Sequence, residues 1–207
     1  LQRFLQAAPS LHELGIFQHL QHLVAKEDRD GKPVYDFTVL DMPATGHALA
    51  LTGLPGIILR MIPHGPVAGA LRAGQAIFNN PKLTAGVIVA LPEILPISEA
   101  LELLEGMLRT DVPVGAMVVN RLHSVRFSPA ELAALSELPL DGSVMGMRSV
   151  EKINQAEACI QRLRKQAYLP VHILHETEGD GQSLAEALAA DILTGGRETG
   201  LPSGDAS

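Results

Sequence analysis

The stretch YDFTVLDMPATGHALALTGL, Tyr35 to Leu54, decides how the chain is read. Val34 to Leu40 has the composition of a strand, with Phe37-Thr38-Val39-Leu40 as its buried part. It delivers a carboxylate, Asp41, to its C-terminal end. A tight polar turn follows, Pro43-Ala44-Thr45-Gly46-His47, and then an apolar run with helical character. In an open parallel sheet, ligands sit outside the carboxyl ends of the strands. An acid and a small-residue loop at that place are therefore candidate site elements.

Outward from this stretch, strand and helix signals alternate. On the N-terminal side, Arg3 to Ala7 reads as the end of a helix stopped before Pro9. Ser10 to Glu13 fits a capping box. Leu11, Leu14, Phe17, Leu20 and Val24 follow at helical spacing, until Asp30-Gly31-Lys32-Pro33 closes the helix. On the C-terminal side, Gly53-Leu54-Pro55-Gly56 is expected to break the apolar run. Short helices are predicted over Ile57–Ile62 and Val67–Asn79. Gly86 to Leu91 reads as a second buried strand. A helix then starts at Pro96 and runs to about Arg109. Val114 to Val119 is a third strand, ending in Asn120-Arg121.

Ser128-Pro129-Ala130-Glu131 is a capping signature for a helix to about Leu138. Ser149 to Tyr168 is a long helix with Val150, Ile153, Ala156, Ile160, Leu163 and Ala167 as its apolar stripe. Val171 to Leu174 is a short strand, and Ser183 opens a last helix to about Leu193. The sum is an α/β fold: a parallel sheet covered by helices on both faces. One domain is expected over residues 1–194, with a polar, Gly-rich tail from 195 to 207.

Composition narrows the function classes. Hydrophobic residues make up 46% of the 207 and charged residues 19%, which supports a globular core rather than disorder. Aromatics are only 3%, so the core is built from aliphatic side chains. The net charge of -7, without a basic block, argues against nucleic acid and against an electrostatically held membrane partner. Cys159 is the single cysteine, so no disulfide partner exists within the chain and a reducing, cytoplasmic setting is expected. No stretch reaches the roughly 18 uninterrupted apolar residues of a membrane span. The chain opens on Leu1 within a helical pattern and reads as a fragment whose N-terminal part is missing.

Each candidate residue carries a plain structural alternative. Asp41 can face a ligand, or it can cap the following segment. Gly46 can adopt backbone angles closed to other residues and can let a phosphate approach the main chain. The amide of Asn120 can read one edge of a base, or close a strand as a turn residue. Glu93, after Pro92, can face a site or belong to its loop. His19 and His22 have a metal-compatible spacing, but no nearby acid or cysteine completes it, and a solvated helix face accounts for them. His172 and His175 flank a strand. Cys159 on the long helix reads as a small, partly buried residue. Leu49 to Phe78 is either core and subunit contact or an exposed apolar interaction surface.

Together these residues carry a resemblance. YDFTVLDMPATGHALAL resembles the segment after the Walker-B strand in the ArsA/tail-anchored-protein-targeting family of P-loop ATPases, which reads YD-hydrophobic-D-x-x-PTGH. Thr84 to Glu93 with Leu95 to Leu104 is similar to that family's strand and "PE-x-LP" helix. Val118-Val119-Asn120-Arg121 is similar to its "VVNR" segment, and Pro170 to Leu184 to its base-closing strand and loop. The likeness covers about Leu1 to Leu193 and lies nearest the single-domain bacterial anion-transporting branch.

The resemblance implies an ATPase that uses ATP and Mg²⁺, cytoplasmic and dimeric. On this chain, Asp41 would hold Mg²⁺ through water. Pro43, Thr45, Gly46 and His47 would form the switch that senses the γ-phosphate. Asn120 and Arg121, with His175 and Glu176, would surround the base. It also implies a homodimer and an apolar client or membrane-protein partner.

The sequence departs from the family pattern in several ways. The phosphate-cradling G-K-G-G-V-G-K-T loop does not occur in it, nor does the preceding N-terminal strand or the switch-I aspartate that would position the attacking water. Pro43 is shifted by one from the usual D-x-x-P order. The cysteines of metalloid-binding members and the CxxC zinc pair of the targeting members are absent. By itself the chain is expected to be inactive as an ATPase. An inactive scaffold or hydrophobic-client module built on the same fold is the competing expectation. An in-frame G-K-G-G-V-G-K-[ST] in the DNA upstream of the Leu1 codon separates the two.

Overall fold

Amphipathic spacing and capping give this chain seven helices and three strands among the residues described. The computed structural model describes residues 9–42, 45–123, 128–136, 147–177 and 179–193. In chain order the elements are α1 (Pro9–Val24), α2 (Thr45–Met61), α3 (Pro66–Phe78), β1 (Gly86–Ala90), α4 (Ile94–Arg109) and β2 (Val114–Leu122). They continue with α5 (Pro129–Ser136), α6 (Met147–Gln166), β3 (Val171–His175) and α7 (Gly181–Leu193). The sheet is parallel, in the order β1-β2-β3, with helices around it. The chain divides into two compact units, Leu1–Gly86 with Glu102–Val114, and Val87–Leu101 with Gly115–Ser207.

In the first unit the core is made by helices. Phe17 and Leu20 of α1 and Leu71 of α3 are buried together, with Leu40, Met42, Ile58, Leu59 and Phe78 packed against them. The Phe17 and Phe78 rings stack at 5.1 Å. Helix α3 approaches α1 at Gly74, where an added Cβ would run into the Gln21 amide and the Phe17 ring. After α1, the Asp28 carboxylate accepts from the backbone N–H of Asp30 (2.8 Å) and Lys32 (3.0 Å). Gly31, at a φ of 76°, completes this turn. Val24, expected on the apolar stripe, is exposed.

Two expectations fail in this unit. Val34 to Leu40 is not a strand: no β-ladder includes it among the described residues. Phe37 and Val39 are 91% and 93% exposed, while Leu40 and Met42 turn inward onto the helical core. A strand gains its stability from cross-strand partners, and here composition alone supplied the signal. Second, Pro55 does not break the helix. A proline inside a helix removes a hydrogen bond and costs about 3 kcal/mol. The cost is offset because α2 is held from both sides of Pro55. Its ring is almost fully buried, Ile58 and Leu59 pack on the core, and Leu49 lies against Gly106.

The second unit holds the sheet. Met117, Val118 and Val119 of β2 are buried, as are Ile173 and Leu174 of β3. On α6, Val150, Ala156, Cys159, Ile160 and Leu163 are buried, and the expected stripe is present apart from Ile153, which is half-buried. β1 was expected to be buried on both faces. Instead Ile88 and Ala90 are buried while Val87 and Val89 are exposed. Among the described residues β1 stands at one end of the strand order, beside β2. Helix α4 begins at Ile94, two residues before Pro96, whose missing N–H falls among donors that lack a helical partner anyway. The capping box of α5 forms: Ser128 Oγ accepts from the Glu131 N–H at 3.4 Å, and Glu131 Oε2 accepts from the Ser128 N–H at 2.7 Å. The expected cap at Ser10–Glu13 involves side chains outside those described, and the 195–207 tail lies outside the described residues.

Three outcomes follow. Leu163, fully buried on α6, is expected to cost about 2–5 kcal/mol as Leu163→Ala in urea unfolding. Gly74→Ala, which overpacks the α1–α3 approach, is expected to cost about 1–3 kcal/mol in the same measurement. The Ser128 hydrogen bonds hold the Glu131 carboxyl below the usual carboxylate range. A depressed folded-state pKa contributes stability above the unfolded-state pKa, lost as pH falls through the folded one. Ser128→Ala removes the hydroxyl but keeps the backbone N–H, the larger cause, so it is expected to raise the Glu131 pKa only part of the way in an NMR titration.

Candidate functional site

Residues 117 to 122 of β2 run beside residues 171 to 175 of β3, and the ladder between them is irregular. Met117 pairs with Val171, Val118 with His172 and Val119 with Ile173; the next pair is Leu122 with His175. Two residues of β2, Asn120 and Arg121, therefore stand opposite the single Leu174. Such a bulge re-aims side chains and is common beside active sites. Arg121 sits in the left-handed region at a φ of 59°. The Asn120 carboxamide oxygen accepts from the Arg121 N–H at 2.9 Å, which supports that conformation. Asn120 is half-buried and Arg121 exposed. Asn120 was expected to end the strand; it lies inside it, at the bulge.

The neighbouring exit is tied down on two sides. The Glu176 N–H donates to the Leu122 carbonyl at 2.9 Å. The Glu176 carboxylate stands 2.6 Å from Nδ1 of His123. On the other side, Asp191 of α7 accepts from the His175 N–H at 3.2 Å, and its carboxylate lies 3.5 Å from His175 Nδ1. Four of the expected site residues, Asn120, Arg121, His175 and Glu176, are thus brought together at the C-terminal ends of adjacent parallel strands. His123 and Asp191, which the sequence does not single out, pair with Glu176 and His175 at the same exits. These pairs join residues 53 and 16 positions apart in sequence, which spacing does not reveal.

The other candidates lie in the first unit. Asp41 is exposed, between Leu40 and Met42, which pack on the helical core. It does not terminate a strand, for the reason given above. Pro43 lies outside the described residues. Thr45, Gly46 and His47 open helix α2 instead of forming a free turn, and their side chains are outside those described. Glu93 serves its loop: its N–H donates to the Leu91 carbonyl, and its own carbonyl accepts from Ile97 at the start of α4. His19 and His22 are exposed on α1. Burial pushes the Cys159 thiol up, Arg162 opposing and Glu93 adding; a thiol held protonated in this way is a packing group, not a nucleophile. No cluster of three or more metal-ligating side chains occurs among the described residues. No described helix is long and apolar enough to cross a membrane.

Comparison with known proteins gives a consistent picture. No family model matches the chain. ATPase BagA of Mycobacterium tuberculosis (strain ATCC 25618 / H37Rv) is 30% identical over 134 residues, covering 65% of this chain and 39% of the relative. A putative ATPase, Mb3704, of Mycobacterium bovis aligns to the same extent. ATPase GET3 of Zygosaccharomyces rouxii is 24% identical over 142 residues, covering 55% of this chain and 40% of the relative. The chain thus spans about two fifths of the length of these relatives.

A left-handed conformation at a residue other than Gly costs about 1–2 kcal/mol. Arg121→Gly is therefore expected to keep or slightly raise stability in thermal unfolding. Asn120→Ala removes the acceptor that supports the bulge and is expected to lower stability by about 1 kcal/mol.

Proposed function

We infer, for a chain that belongs to the ArsA/tail-anchored-protein-targeting family of P-loop ATPases, that it carries the base side and the metal side of an ATP-hydrolysing site. The observation behind this reading is the Asn120–Arg121 bulge, set beside His175 and Glu176 at the strand exits. One lone pair of the Asn120 oxygen is engaged by Arg121. The other lone pair and both amide hydrogens are chemically suited to one edge of adenine. Glu176, held by Leu122 and His123, would border the same base.

The Asp41 carboxylate is exposed, and a lone carboxylate suits Mg²⁺, which takes one or two carboxylates together with phosphate oxygens. When bound with nucleotide, Mg²⁺ would neutralise charge on the β- and γ-phosphate oxygens. Residues Pro43 to His47 would sense the γ-phosphate. Gly46 lacks a Cβ and leaves room for phosphate against the main chain. Asp41, Thr45, Gly46 and His47 act here by position and charge, since phosphoryl transfer asks little covalent chemistry of a protein. In the same reading the assembly is a homodimer whose interface responds to nucleotide. An inactive scaffold built on the same fold is the rival reading.

Phosphate binding without the lysine and backbone nest of the G-K-G-G-V-G-K-T loop loses its main contacts. The 207-residue chain by itself is therefore expected to show no phosphate release from Mg-ATP. Turnover that Asp41→Ala abolishes would contradict this. Adding ATP is expected to shift the backbone NMR signals of Asn120, Arg121, His175 and Glu176. An Asn120→Ala change should weaken that response about tenfold, or about 1.4 kcal/mol. Absence of shifts at these residues would remove the base-side assignment.

A further inference from the structure

Between Asp41 and Glu93 the chain contains no Asp or Glu, but it does contain Arg60, Arg72 and Lys82. In a protein of net charge -7, this stretch is positively charged. It folds as α2, the turn Ile62–Gly65, and α3. The end of this hairpin exposes apolar side chains. Met61 is 78% exposed and Ile62 52%, with Ile57 one turn before them and Val67 just after the turn also exposed. Arg60, His64 and Arg72 are exposed among them. The Arg72 guanidinium donates to the Pro63 carbonyl, which keeps that cation at the turn.

We infer that this hairpin end docks on an anionic lipid surface: Met61 and Ile62 enter the headgroup boundary while Arg60 and Arg72 face lipid phosphates. An apolar edge flanked by arginines, on a stretch of sequence without carboxylates, is the charge complement of such a surface. The depression beside the hairpin, lined by Phe17, Gln18, Gln21, Val67, Ala70 and Leu71, holds about 110 Å³, and the choice of lipid rests on the charge of the stretch. The association is peripheral, since no described helix is long and apolar enough to span a bilayer. It requires no nucleotide and stands apart from the ATPase reading.

Flotation of the chain, without nucleotide, tests it. Vesicles of equal parts phosphatidylglycerol and phosphatidylcholine are compared with phosphatidylcholine alone. Binding is expected to the anionic vesicles, falling at least about tenfold between about 20 mM and about 300 mM NaCl. The double change Met61→Ser with Ile62→Ser should weaken it about tenfold, and Arg60→Ala about fivefold. Leu193→Ser, at an exposed apolar residue elsewhere, should leave it unchanged. The chain has no Trp, so Ile62→Trp adds a single reporter; its emission should shift to the blue with anionic vesicles and be quenched by brominated lipid. Equal binding to neutral vesicles, no binding, an unshifted Trp, or equal loss in Leu193→Ser would overturn the proposal. Capture of an apolar helical peptide at this surface, without vesicle binding, would assign it to a protein partner and overturn the lipid assignment.

Discussion

β2 is hydrogen-bonded to a strand on each side, and its burial is close to complete at Met117 and Val119. Parallel pairing is slightly weaker per residue than antiparallel and depends on burial by covering layers. The second unit is therefore organised around this strand. Its ladder with β3 sets where both strands leave the sheet. The extra residue in β2 then places Asn120 and Arg121 opposite Leu174. Without the buried Met117–Val119 segment, neither the bulge nor the His123–Glu176 and Asp191–His175 ties would have a fixed frame.

Much of this fold was legible in the residues. The apolar stripe of α6, the Ser128 cap and the apolar runs of β2 and β3 are local signals that the packing reinforces. The failures share a cause: the deciding partner was not local. Val34 to Leu40 has strand composition, yet a strand needs a neighbour, and this segment instead packs Leu40 and Met42 on helices. Pro55 is a helix breaker by propensity, and buried packing along α2 outweighs it. β1 reads as doubly buried, but only the face of Ile88 and Ala90 is covered, and Val87 and Val89 on the other face are exposed. The candidate site divides in the same way. Asn120 and Glu176 are readable as residue types at strand exits. The bulge, and the roles of His123 and Asp191, come from register and long-range pairing.

Whole-chain charge concealed a second feature. A net charge of -7 argues against any anionic surface. Yet the acids are absent from the segment that forms α2 and α3, and there the exposed groups are arginines and apolar side chains. Electrostatic attraction acts over about a Debye length, roughly 10 Å in ordinary salt. Local sign, not the sum over the chain, therefore governs what such a hairpin end can approach.

The central claim is that a nucleotide base sits at the exits of β2 and β3. Photolabelling with 8-azido-ATP, followed by tryptic mapping, tests it most directly. The account predicts label, competed by ATP, in the peptides Thr110–Arg121 and Gln166–Arg197, which contain the two exits. Competed label confined to other peptides would contradict it.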